Sequence, residues 1–129
     1  SKPYTVVGNG NQKRDFTYIS DAIDAIIKAS RLKKNHLIIN IGNGKCYSVN
    51  YIVKLLGGKK VYIPKRPGEP YITWANIKRA KKILNWKPKV SIEVGIKILL
   101  KNIYLWKSAP LWDKKKIKKA TKDWFKYLK

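Results

Sequence analysis

Methionine is absent from the 129 residues, histidine and cysteine occur once each, and seven acidic side chains stand against 30 basic ones. The lone Cys46 cannot form an internal disulfide, and it sits in a turn without a second cysteine or a histidine nearby, so neither metal binding nor nucleophilic catalysis is expected from it. A single free thiol fits a reducing cytoplasm, which is the expected location. His36 has no acid, serine or metal-ligand partner in the pattern around it and reads as structural. No metal site is expected. The lack of any methionine, initiator included, fits a truncated or processed chain. No apolar run is long enough to span a bilayer, and no signal peptide opens the sequence.

What is present is enough for a core. Hydrophobic residues make up 44% of the chain, with 5 Trp, 8 Tyr and 2 Phe among them, and a compact fold of this size buries roughly two thirds of its unfolded surface. The net charge of +23 would by itself suggest a basic nucleic-acid-binding module. Only Arg14, Arg31, Arg66 and Arg79 are arginine, however. Base-edge readout favours the arginine fork, so an excess carried by lysine speaks for solubility or general backbone attraction. From Asp113 to Leu128 the pattern predicts a terminal amphipathic helix, with Ile117, Trp124, Phe125 and Leu128 on one face and lysines on the other. Such a helix covers a protein body in most cases; the alternative is a membrane-surface helix.

Between these ends the pattern is α/β. Tyr4 to Val7 and Phe16 to Ile19 predict short strands, and Ser20 or Asp21 is positioned to cap a helix whose apolar side carries Ala22, Ile23, Ala25, Ile26 and Ile27. The near-continuous apolar run from His36 to Ile41 predicts a buried parallel strand. Ser48 caps a helix closed by Gly57-Gly58, and Val61 to Pro64 predicts a short strand. A basic helix from about Ile77 to Leu84 is stopped by Asn85-Trp86-Lys87-Pro88. Another runs from Ser91 to about Lys107, with an apolar face that must be covered. Trp74 and Trp86 are expected in packing.

Three segments carry chemistry. Arg66-Pro67-Gly68-Glu69 puts a guanidinium on a rigid turn, where a planar five-donor fork suits a pair of phosphate oxygens and an acceptor three residues on can take a sugar hydroxyl. Gly8-Asn9-Gly10-Asn11-Gln12-Lys13-Arg14-Asp15-Phe16-Thr17-Tyr18-Ile19-Ser20-Asp21 and Asn40-Ile41-Gly42-Asn43-Gly44 precede it. In order and separation these blocks resemble the C-terminal half of the NAD-dependent sugar-nucleotide epimerase/dehydratase family, the extended short-chain dehydrogenases, over residues 5 to 100.

The resemblance implies the C-terminal part of a Rossmann-like fold, short strands with about five helices, in which residues 1–129 form a substrate-binding portion. It implies that Arg14 and Arg66 contact the diphosphate of a nucleoside-diphosphate sugar, that Phe16 stands beside the nucleotide and that Glu69, where relatives more often have Asp, reaches the ribose. Both arginines would have to converge on one diphosphate. The family reaction is transient oxidation at the sugar C4 by bound NAD, leading to epimerisation or dehydration. The family's Gly-x-x-Gly-x-x-Gly turn and Tyr-x-x-x-Lys pair do not occur here. The nearest look-alike, Gly42-Asn43-Gly44, lacks a third glycine and a later acidic residue. NAD is therefore expected in a full-length enzyme and not on this chain, which is expected to hold no catalytic residues and to be inactive alone. Without the remaining strands of such a sheet, faces such as Ile38 to Ile41 would be exposed and could drive homo-oligomer formation.

Overall fold

The computed structural model describes residues 2–33 and 36–128. Its strands are short and arranged in two pairs. β1 (Tyr4–Val7) lies parallel to β4 (Lys60–Ile63), with Val6 opposite Tyr62. β2 (Lys13–Arg14) runs antiparallel to β3 (Tyr47–Ser48), with Arg14 opposite Tyr47. β-Branched residues fill the first pair, and Gly8 and Gly10, both at positive φ, end β1 in a turn that no other residue type enters cheaply. β2 falls earlier than the strand expected at Phe16 to Ile19, where the chain instead runs as a loop into the first helix.

That helix, α1 (Ile19–Ser30), has Tyr18 as its N-cap and no side-chain cap. Asp21 does other work: it is 3% exposed, its carboxylate accepts the Lys89 and Val90 N–H groups, and its carbonyl accepts the Trp86 indole N–H at 3.1 Å. A buried carboxylate needs such donors. α1 is thereby tied to the segment that follows α3 (Lys78–Leu84), and Lys28 reinforces this by donating to the Asn85 carbonyl at 2.8 Å. Between the two helices lies the main core of Ala25, Ile77, Ala80, Leu84 and Trp86. The packing role expected of Trp86 is met. Trp74, by contrast, is 66% exposed.

α2 (Val49–Leu56) begins as expected at Ser48, whose hydroxyl accepts the Tyr51 N–H, and ends at Gly57. α4 (Ile92–Lys101) is capped by Ser91 and gives way to a 3₁₀ turn at Ile103–Trp106, so the long helix expected to reach Lys107 is broken. The tail forms two helices, α5 (Lys114–Ala120) and α6 (Lys122–Tyr127), where one was expected. That makes six α-helices among the described residues, where about five were expected.

The run from His36 to Ile41 is the clearest departure. It forms no strand, and Leu37 and Ile38 are exposed while Ile39 and Ile41 lean on the core. A buried parallel strand needs hydrogen-bonding neighbours on its edges, and none lies beside it among the described residues. The apolar side of α1 is open for the same reason, with Ile19, Ile23, Ile26 and Ile27 all exposed.

Candidate functional site

Three loop segments far apart in the chain meet at Asp15. Its carboxylate accepts the backbone N–H groups of Asn43, Gly44 (3.1 Å) and Ala75 (3.3 Å), so a residue of the Gly8–Asp21 block holds the Asn40–Gly44 turn and the loop that leads into α3. The approach is close enough to require glycine: a Cβ on Gly42 would stand 2.4 Å from the Ala75 Cβ and 2.6 Å from Asp15 Oδ2. Gly44 has φ +74, which a side chain would strain. The sequence pattern gives Asp15 no role of its own. Nothing in local pattern links a carboxylate to amides 28 and 60 residues away.

The joint also rules on the glycine turn. The Asn43 and Gly44 N–H groups, which a dinucleotide phosphate would need, are taken by Asp15. Gly42-Asn43-Gly44 does not fit a cofactor phosphate.

The third segment runs alongside β2, with the Lys13 N–H donating to the Tyr71 carbonyl and the Thr73 N–H donating back to the Lys13 carbonyl. This brings Arg14 against Glu69: Arg14 Nη2 donates to Glu69 Oε1 at 3.1 Å, with both side chains 23% exposed. Arg14 Nη1 donates to the Lys13 carbonyl at 2.8 Å and more weakly to the Tyr71 carbonyl. Glu69 opens onto a cavity of about 280 Å³ walled by Gly8, Gln12, Lys65 and Tyr71. Phe16 lies elsewhere. Beyond Asp15 the chain turns, and the Phe16 ring lines an apolar cavity with Tyr18, Ile92, Ile96 and Leu99.

Arg66 does not join Arg14. Neighbouring side chains on a chain leaving a strand point to opposite sides, and here Lys65 faces the Glu69 cavity while Arg66 faces a second cleft of about 530 Å³ between β4 and the tail, walled by Tyr62, Pro64, Ile117, Lys118 and Phe125. Its guanidinium carbon lies over the Trp124 ring, 5.6 Å from the centroid. The expectation of two arginines in one pocket is not met, because a tail aromatic holds one of them and a carboxylate the other.

A further polar group lies behind β3. Tyr47 and Tyr51 stack at 5.6 Å, and the Tyr51 hydroxyl donates to Glu93 at 2.7 Å. That hydrogen bond is the largest cause holding the Glu93 carboxyl below its ordinary range, and it raises the Tyr51 phenol in turn. Burial, chiefly, raises Tyr47. Among the described residues no three His, Cys, Asp or Glu side chains are grouped to hold a metal ion, and no helix is long and apolar enough to cross a membrane.

Comparison with known proteins places these blocks. Residues 1–42 match the NAD dependent epimerase/dehydratase family. A UDP-glucuronate 4-epimerase of Thermodesulfobacterium geofontis is 44% identical over 103 residues, 74% of this chain and 32% of that protein. The crystal structure of UDP-glucuronic acid 4-epimerase from Bacillus cereus, in complex with UDP-glucuronic acid and NAD, superposes with a TM-score of 0.72 at 37% identity, over 80% of this chain and 36% of that one. UDP-glucose 4-epimerase of Thermotoga maritima, solved with UDP-glucose, gives 0.74 at 31% identity, over 81% and 35%. The chain spans about a third of the length of these relatives. With a family match over residues 1–42, 44% identity to a relative over 74% of its own length and a fold superposing on part of the relatives', the chain belongs to the NAD-dependent epimerase/dehydratase family of extended short-chain dehydrogenases.

Proposed function

We propose that this chain is the nucleotide-sugar-binding portion of an NAD-dependent epimerase or dehydratase, with Arg14, Arg66 and Glu69 contacting a nucleoside-diphosphate sugar. The observation that carries the reading is the Arg14–Glu69 pair, formed across 55 residues at the edge of a cavity. A partly exposed arginine resting on one carboxylate can trade it for a pyrophosphate oxygen pair, which it grips at two points. Glu69, released, becomes an acceptor for a ribose hydroxyl. Phe16, which lines a separate apolar cavity, is not part of the proposed contact set. The two solved relatives named above hold UDP-sugars, which makes UDP the natural probe. No step through NAD is assigned to these residues: the one glycine turn that resembles a phosphate cradle has its N–H groups taken, and the chain contains no Tyr-x-x-x-Lys pair.

The test is equilibrium dialysis of UDP and of uridine against the chain at about 0.15 M salt, where charges more than about 8 Å apart are screened. UDP is expected to bind more tightly than uridine. Arg14→Ala is expected to weaken UDP about tenfold or more, one charge-assisted hydrogen bond's worth, and to leave uridine unchanged. Lys81→Ala, on the outer face of α3, removes the same charge as a control. Equal binding of UDP and uridine, or an Arg14→Ala chain that keeps its affinity for UDP, overturns the reading.

A further inference from the structure

Resting on the reading above, we infer that the C-terminal tail is a strap that withholds Arg66 from the nucleotide site, so that nucleotide and Trp124 compete for one guanidinium. Two contacts made by one side chain carry this. The Trp124 ring lies under the Arg66 guanidinium, and its indole N–H donates to the Pro67 carbonyl at 2.8 Å, pinning the turn by its backbone as well as its charge. They come from a residue 57 positions from Pro67 and 58 from Arg66. α5 and α6 are set to deliver them: Ile117, Thr121 and Phe125 face Tyr62, Ile63 and Pro64 across the cleft, and Asp113 caps α5 by accepting the Lys116 N–H at 2.9 Å.

The hold is of a kind that a ligand can replace. An aromatic face offers no lone pair, so Arg66 keeps its donors: it has no carboxylate or carbonyl partner among the described residues. A phosphate offers both charge and acceptors and is the stronger partner. One exposed cation–π contact and one hydrogen bond together favour the strapped state by about five- to sixtyfold. Apparent affinity is the intrinsic affinity scaled by the fraction of free Arg66, so undoing the strap tightens binding by up to that factor. The sign is opposite to that of a residue that merely supports the site. Arg66 pointing away from Glu69 is then the closed state of the site.

The experiment measures UDP dissociation constants by calorimetry for the full chain and for Trp124→Ala, Trp124→Leu, Arg66→Ala and the Arg66→Ala/Trp124→Ala double variant. Trp124→Leu keeps apolar volume while removing the indole N–H and the π face, which guards against loss of tail packing in the alanine variant. Both Trp124 variants are expected to bind UDP at least about fivefold more tightly, Arg66→Ala more weakly, and the Trp124 change is expected to have no effect once Arg66 is gone. If Arg66→Ala weakens UDP binding while the Trp124 variants bind equally or less tightly, the strap is wrong and the nucleotide reading stands. If Arg66→Ala changes nothing in either background, Arg66 is not a nucleotide contact, and the strap falls with that part of the reading.

Discussion

Replacing Asp15 by alanine removes one carboxylate and leaves three backbone N–H groups, those of Asn43, Gly44 and Ala75, without their acceptor. A hydrogen bond to a charged group contributes about 1.5–3 kcal/mol. Asp15 is half-buried, the Ala75 contact is long at 3.3 Å, and water can reach part of the cluster. Discounting for these, the loss is about 3–4 kcal/mol, against a total of about 5–15 kcal/mol for a domain. With a urea dependence of about 1–3 kcal/mol per molar, the unfolding midpoint falls by about 1–4 M at unchanged slope. Asp15→Asn keeps one acceptor oxygen but turns an amide donor toward a donor, so it should lose at least half as much. Amide hydrogen exchange localises the effect: protection at Asn43, Gly44 and Ala75 drops in Asp15→Ala well before that of Tyr51 and Val94, whose donors are capped by Ser48 and Ser91. A midpoint shift worth less than about 1 kcal/mol, or a uniform loss of protection, refutes the claim that Asp15 joins the three segments.

Gly42→Ala places a methyl within 2.6 Å of both Ala75 and Asp15 and should cost about 1–3 kcal/mol of overpacking, read as a lower thermal midpoint; an unchanged midpoint contradicts the close approach. Glu93 titrates near its ordinary value of 4.5 when unfolded and lower when folded, so its contribution is complete above that value and is lost as pH falls through the lowered one. Tyr51→Phe removes the main cause, so acid unfolding of that variant should show a shallower dependence between pH 5 and 3 (about the carboxylate range) than the parent chain, and parallel curves refute the pairing. Ile26→Lys on α1, where Ile26 is 67% exposed, should change stability by less than about 0.5 kcal/mol and leave the sedimentation coefficient unchanged; a larger loss, or dissociation of an oligomer, means that this face is covered in solution.

How much of this could be read without coordinates divides along one physical line. Features set within a few residues were legible: the Ser48 and Ser91 caps, the Gly57 stop, the strands at Tyr4–Val7 and Lys60–Ile63, and the end of α3 before Asn85, because each depends on local backbone chemistry. Features set by a distant partner were misread even where the residue type was judged correctly. The sequence offers Asp21 beside Ser20 as a cap, yet a carboxylate at that position is worth more to two N–H groups 68 and 69 residues on, in a site that water does not reach. The run from His36 to Ile41 has the composition of a buried strand, but composition records which residues tolerate burial and says nothing of whether a neighbouring edge is there to pair with. Arg66 follows the same logic. Its Pro-Gly turn was legible as a rigid mount, whereas the direction in which the guanidinium points is decided by the tail aromatic 58 positions further along the sequence. A charged side chain with several rotatable bonds adopts whichever partner lies within reach, so at a site of this kind the motif specifies what can be bound and the surrounding chain specifies when.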